Sequence, residues 1–135
     1  MLFGEHMADD DFRVLEATVA GKGTIASFIR CIVDGLTRLE SFFQRTKHDY
    51  RRFNYLGEWH SHPSFALRPS VTDDSTMFDL VTDPSTQARF AISVIVKLEG
   101  IHLRGEAFAY FPMGIREKCR LIIETLGTVR DGSAG

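Results

Sequence analysis

The spacing of apolar residues changes period several times along the chain, and each change predicts a new element. Residues 12–20 (FRVLEATVA) mix β-branched and aromatic residues with polar ones and read as a strand, followed by a turn signal at Gly21-Lys22-Gly23. Residues 24–33 have the composition of a second strand. From Gly35 the spacing becomes helical: Leu36, Leu39, Phe42 and Phe43 fall on one side and Arg38, Glu40, Gln44, Arg45 and Lys47 on the other. Asp34 is the expected N-cap, and Phe42 and Phe43 are expected to pack inward. Residues 52–60 read as a strand, with Phe53, Tyr55 and Trp59 on one face and Asn54, Leu56, Glu58 and His60 on the other.

A short helix over residues 73–81 follows, ended by Asp83-Pro84, because the residue before a proline is pushed out of helical geometry. Residues 90–98 (FAISVIVKL) are almost continuously apolar, the pattern of a central strand covered on both faces. Glu99-Gly100 turns the chain into a hairpin partner over 101–111, whose alternate residues His102, Arg104 and Glu106 face water. Ile115, Cys119, Ile122 and Leu126 make a closing helical stripe, and residues 129–135 read as a disordered tail. The fold class expected is α/β: a mixed central sheet flanked by helices.

Composition narrows the class. With 135 residues, 44% hydrophobic and 25% charged, the chain suits one globular domain, placed at residues 1–128. A formal charge of −2, with no long run of Lys or Arg, offers no field for a phosphate backbone, so nucleic acid is not an expected partner. No stretch approaches the roughly 20 apolar residues that span a bilayer. The acidic start, with Glu5, Asp9, Asp10 and Asp11, is the reverse of a signal peptide, and a cytoplasmic protein with no membrane contact is expected. Cys31 and Cys119 have no metal-knuckle or redox spacing and are expected to be buried free thiols.

The chemistry is concentrated in Gly57-Glu58-Trp59-His60-Ser61-His62-Pro63 and, seven residues on, Ser70-Val71-Thr72-Asp73. In an extended segment residues two apart point the same way, so His60 and His62 can converge on one ion, with Asp73 adding an oxygen from the start of the next helix. Three protein ligands and one open position are the catalytic pattern for zinc rather than the structural one, and zinc makes water nucleophilic near neutral pH. Each half also has a plainer reading. A His-x-His pair on a surface needs no metal, and Ser70-x-x-Asp73 before an apolar run is also a capping-box helix start.

At these residues the chain resembles the JAMM/MPN (JAB domain) zinc metalloprotease family, whose signature is a distant glutamate, then His-x-His-Pro, then Ser-x-x-Asp. Gly57-Glu58-Trp59 is similar to the stand-alone prokaryotic branch. The resemblance implies the MPN fold and zinc-dependent hydrolysis of a peptide or isopeptide bond, often on ubiquitin or a ubiquitin-like protein. It implies that His60, His62 and Asp73 hold Zn2+ and that Ser70 polarises the scissile carbonyl and stabilises the oxyanion. The family's general-base glutamate heads a segment Glu-x-Gly-Gly-hydrophobic-Leu-hydrophobic-Gly. Met1-Leu2-Phe3-Gly4 resembles the end of that segment, so the glutamate falls just before Met1, together with the usual N-terminal helix. The expectation is a truncated start or a lost base.

Glu5 and Glu16 are expected to be solvated or turn residues, and Glu58 to hold a ligand in place. Trp59 is expected in the core, Asp74 as a solvated first-turn acid, and His6, His48 and His102 on the surface. An uncovered apolar face near Leu2, Phe3 and Phe12 is expected to favour self-association. Two other functional classes are consistent with the residues: a non-catalytic MPN-type scaffold that binds a partner, and a zinc amidohydrolase for a small molecule or a sulfur-carrier adduct.

Overall fold

The alternating segments assemble into a six-stranded mixed sheet of order β2-β1-β3-β4-β5-β6, flanked by two helices. The strands are β1 (Leu2–Ala8), β2 (Asp11–Ala17), β3 (Phe53–Ser61), β4 (Ala91–Glu99), β5 (His102–Phe111) and β6 (Ile115–Cys119). The helices are α1 (Ile25–Arg45) and α2 (Val71–Thr82). The computed structural model describes residues 1–19 and 25–124, with only the backbone of 25–32. The Gly21-Lys22-Gly23 turn, the Cys31 side chain, Leu126 and the tail 129–135 lie outside the described residues. Among the described residues no helix is long and apolar enough to cross a membrane.

Only β3 and β4 run parallel; every other neighbouring pair is antiparallel. A parallel pair needs a crossover, and α2 is that crossover. Met77 and Val81 of α2 pack on Ala91, Ile95, Phe108 and Tyr110, the core on which the central strand β4 rests. α1 covers another part of the sheet: Phe42, almost fully buried, meets Phe3 and Phe53 ring to ring. Phe43, half-buried, packs its ring edge on Tyr50.

Two expected elements are corrected. Residues 25–33 are helix, not strand, and α1 runs through Asp34 and Gly35 without a cap there. Ile25, Ile29, Ile32, Leu36, Leu39 and Phe43 already repeat at helical steps of four and three; β-branched residues lower helix propensity by only a few tenths of a kcal/mol each and do not override that period. Residues 115–119 are the edge strand β6, not a helix. Pro112-Met113-Gly114 turns the chain back, with Gly114 at φ 77° and its N–H donating to the Phe111 carbonyl, so Ile115 pairs with Phe111.

The β1–β3 ladder slips between Leu2 and Phe3: Leu2 faces Gly57 and Phe3 faces Tyr55, leaving Leu56 as an extra residue. The simple alternation expected across 52–60 breaks there, and Tyr55 reaches the same carboxylate, Glu58, that alternation had placed on the other face. Gly57, at φ 154°, lies so close to β4 that a Cβ would sit 1.8 Å from the Ile92 carbonyl oxygen. No other residue type fits this position without moving one of the two strands.

Candidate metal centre

The end of β3 and the start of α2 converge because α2 returns the chain to a parallel neighbour, which sets its N-terminus beside the carboxyl end of β3. His60 lies level with Ile95 of β4, and the His62 N–H continues the ladder to the Val96 carbonyl. Pro63 then ends the extended run.

The three expected ligand residues meet. His60 Nε2 and His62 Nε2 are 2.9 Å apart. Asp73 Oδ2 is 3.3 Å from the first and 3.2 Å from the second. Zinc bonds of about 2.0–2.1 Å in tetrahedral geometry separate neighbouring ligand atoms by about 3.3 Å, so these atoms already stand close to three corners of one tetrahedron. His62 Nδ1 lies 3.1 Å from the Ala66 carbonyl oxygen, which can only accept, so the neutral ring carries its proton on Nδ1 and turns the Nε2 lone pair toward the cluster. Phe65 packs edge-on against the same ring.

Ser70 is the N-cap of α2, and the capping box is complete. Its Oγ accepts from the Asp73 N–H at 3.1 Å, and its own N–H donates to Asp73 Oδ2 at 2.8 Å. The capping and ligand readings of Ser70-x-x-Asp73 are therefore realised together: the oxygen that closes the box is the one facing both histidines. The Ser70 hydroxyl uses a lone pair in the cap and keeps its proton to donate. Partial burial pushes the Asp73 carboxyl up, but hydrogen bonding from Ser70, led by its backbone N–H, and the nearby histidines outweigh it and hold Asp73 below the ordinary carboxylate value.

A groove of about 400 Å³ opens beside the cluster, lined among others by His62, Pro63, Phe65, Arg68, Pro69 and Ser70. Its wall is mostly apolar, and His62 and Ser70 bring it to the edge of the cluster.

Glu5, Glu16 and Glu58 each have partners outside the three-residue cluster. Glu5, expected to be solvated, is buried in β1 at 8% exposure and accepts from the Arg52 guanidinium at 2.7 and 2.8 Å. Burying that carboxylate is tolerable only because a cation pairs with it. Glu16 pairs with Arg45. Glu58 accepts from the Tyr55 hydroxyl at 2.7 Å and lies 3.1 Å from the Met1 amino group. Burial and the Glu58 charge both push the Tyr55 phenol up, so it stays a donor. Trp59 is half-buried and donates from Nε1 to the Thr18 carbonyl, tying β3 to the end of β2.

Asp74 is not the solvated acid expected. Tyr110 Oη donates to its Oδ1 at 2.7 Å, and Arg116 Nη1 lies 2.7 Å from both of its oxygens. Sequence spacing held no signal for these contacts, because the partners sit on β5 and β6. Cys119 is a free thiol whose pKa is raised by burial.

Two histidines and an aspartate gathered at the carboxyl end of a strand in a mixed sheet define an α/β domain with a candidate metal centre. The chain belongs to the prokaryotic homologues of the JAB domain, whose family model matches residues 8–108, a span that holds the whole cluster. A search of curated proteins finds no match to it.

Proposed function

We propose that this protein is a zinc-dependent hydrolase of peptide or isopeptide bonds, with His60, His62 and Asp73 as the metal ligands. The observation that carries the reading is the triangle of two Nε2 atoms and one Oδ2 atom with sides of 2.9, 3.2 and 3.3 Å. Nitrogen and oxygen donors in a set of three suit zinc with a position left open. When bound there, zinc supplies Lewis acidity, polarising a carbonyl oxygen and making water nucleophilic near neutral pH.

The chain's own residues do the rest. Ser70 turns its hydroxyl proton toward the oxygen that gains charge as the carbonyl is attacked, a contribution of order 10²–10³ in rate for one such donor. The groove past Phe65 and Pro69 holds an extended peptide segment against the site, and a flexible C-terminal tail, as in a ubiquitin-like protein, fits such an open groove. A glutamate supplied ahead of Met1 would stand on a strand that runs past Trp59 and His60, because Leu2 pairs with Gly57 and β1 is antiparallel to β3. The retention of a complete ligand set favours an enzyme over a scaffold, which needs no ligands.

Zinc stoichiometry by elemental mass spectrometry is the test, on the chain and on a His60→Ala/Asp73→Ala double variant, followed by hydrolysis of a lysine isopeptide with and without chelator. One zinc per chain, lost in the variant, is expected, with chelator-sensitive cleavage by a chain extended ahead of Met1 with a Glu-x-Gly-Gly segment. A folded, zinc-supplied chain that binds no zinc overturns the proposal.

A further inference from the structure

We propose that Tyr110, Asp74 and Arg116 form a clamp that positions Asp73 in the metal centre, an inference that rests on the metal reading above. Apolar packing does not hold the first turn of α2. Its buried apolar residues are Met77 and Val81, one to two turns further along, whereas Val71 at the first helical position is 87% exposed. Apolar packing therefore anchors the middle and end of this helix but not the turn that carries Asp73. A helix start without a tertiary anchor frays.

Polar contacts take that place from two sides. Successive helical residues point about 100° apart, so Asp73 and Asp74 face different strands. Asp73 meets the histidines of β3, and Asp74 meets β5 and β6. The capping box fixes Asp73 to Ser70 within its own turn, but that ties the turn only to itself. The Asp74 contacts tie it to the sheet.

The clamp is built for rigidity. Tyr110 and Arg116 are direct register partners across β5 and β6, so their donors arrive side by side. Tyr110 is fully buried within the core of α2, which leaves its hydroxyl one direction in which to point, toward Asp74 Oδ1 at 2.7 Å. The Arg116 guanidinium also lies over the Phe108 ring at 5.5 Å, which restricts its swing. With both strands holding Asp74, the neighbouring carboxylate is set at 3.2–3.3 Å from two imidazole nitrogens rather than free to rotate into water. Tyr110, Asp74 and Arg116 are positioning residues; in this role none of them touches the metal or the substrate.

The test compares Tyr110→Phe and Arg116→Gln with Val81→Ala, each read for zinc affinity by competition with a chromophoric chelator. A second readout is the visible ligand-field spectrum of the cobalt(II)-loaded protein. All are measured at a temperature where circular dichroism shows every variant folded. Tyr110→Phe and Arg116→Gln are each expected to weaken zinc binding by about tenfold, the scale of effect for partners that orient a ligand, and to lower the intensity of the tetrahedral cobalt bands. Val81→Ala removes core contacts from the far end of α2. It is expected to lower the melting temperature while leaving zinc affinity and the cobalt spectrum as in the wild type.

Two results would overturn the clamp while leaving the metal centre standing. One is a wild-type chain that binds zinc alongside clamp variants with its affinity and spectrum unchanged. The other is Val81→Ala losing as much affinity as they do, which would make the effect one of general stability. A wild-type chain that binds neither zinc nor cobalt overturns the metal reading itself and the clamp with it.

Discussion

Replacing Ser70 separates two roles that one hydroxyl plays. Ser70→Ala removes the acceptor for the Asp73 N–H, a neutral hydrogen bond of 3.1 Å at an exposed helix start. Losing an N-cap of this kind costs about 1 kcal/mol. For a chain of 135 residues that corresponds to a melting temperature lower by about 3–4 °C. The same substitution removes the proton donor placed beside the ligand triangle, with an expected loss of 10²- to 10³-fold in kcat. Ser70→Asp splits the two effects. Aspartate caps as well as serine and suits the positive end of the helix, so the melting temperature returns to the wild-type value or above. An ionised carboxylate cannot donate, so hydrolysis stays as low as in Ser70→Ala or falls further.

Differential scanning fluorimetry and single-turnover hydrolysis of an isopeptide substrate by the upstream-extended protein read the two axes. A Ser70→Ala protein that melts with the wild type would refute the capping argument. A Ser70→Asp protein that regains hydrolysis would refute the assignment of Ser70 as an oxyanion donor.

Two further outcomes are expected. Gly57→Ala places a Cβ 1.8 Å from the Ile92 carbonyl at a φ that side chains rarely adopt, so β3 and β4 must part beside the site. Urea titration should show a loss of about 2–4 kcal/mol, and a loss under 0.5 kcal/mol would mean that the strands are not locked at that spacing. Asp73 has a folded-state pKa below its usual 3.8, so it adds stability that is complete above that value and lost as pH falls through the folded-state pKa. The metal-free wild type should therefore lose more stability than Asp73→Asn on acidification below about pH 4, measured by denaturant unfolding across pH; parallel curves would count against the Ser70 hydrogen bonds as the cause.

What the sequence disclosed and what it withheld divide along contact range. His60, His62, Ser70 and Asp73 all lie in one strand–loop–helix connection, so their residue types and spacing carried the geometry, and the His-x-His and Ser-x-x-Asp halves closed on one another as expected. β4 and β5 are legible as strands because their apolar periods are local. The wet face expected along β5 nevertheless stops halfway: Phe108 and Tyr110, on the parity of His102, are buried, and Leu103 on the other parity is exposed. The contacts of Asp74 leave no local signal, because its partners Tyr110 and Arg116 are 36 and 42 residues away. The Leu56 slip was invisible for a related reason: a bulge exists only relative to a partner strand, and β1 sets it. For residues 115–119, a five-residue segment with apolar ends satisfies strand and helix periods alike, and the Pro-Met-Gly turn, not the stripe, decided the outcome. At the start of α1 the β-branched composition points to a strand, while the helical period that runs across Gly35 decides the structure.

The shared Asp73 oxygen has an evolutionary corollary. Both ends of the connection between β3 and α2 are fastened by contacts that lie mostly outside it: the His62 N–H to Val96 before, and the capping box with Asp74 behind. Among the described residues, the Ala66 carbonyl, which steers His62, and the Phe65 ring, packed edge-on against it, bind the intervening loop to the cluster. Residues 63–69 thus form a replaceable cassette, free to lengthen or change composition so long as one backbone carbonyl and one apolar ring return to His62. On the proposed function, recognition lies along this loop while the metal ligands lie outside it, so the loop can change its partner without rebuilding the metal centre.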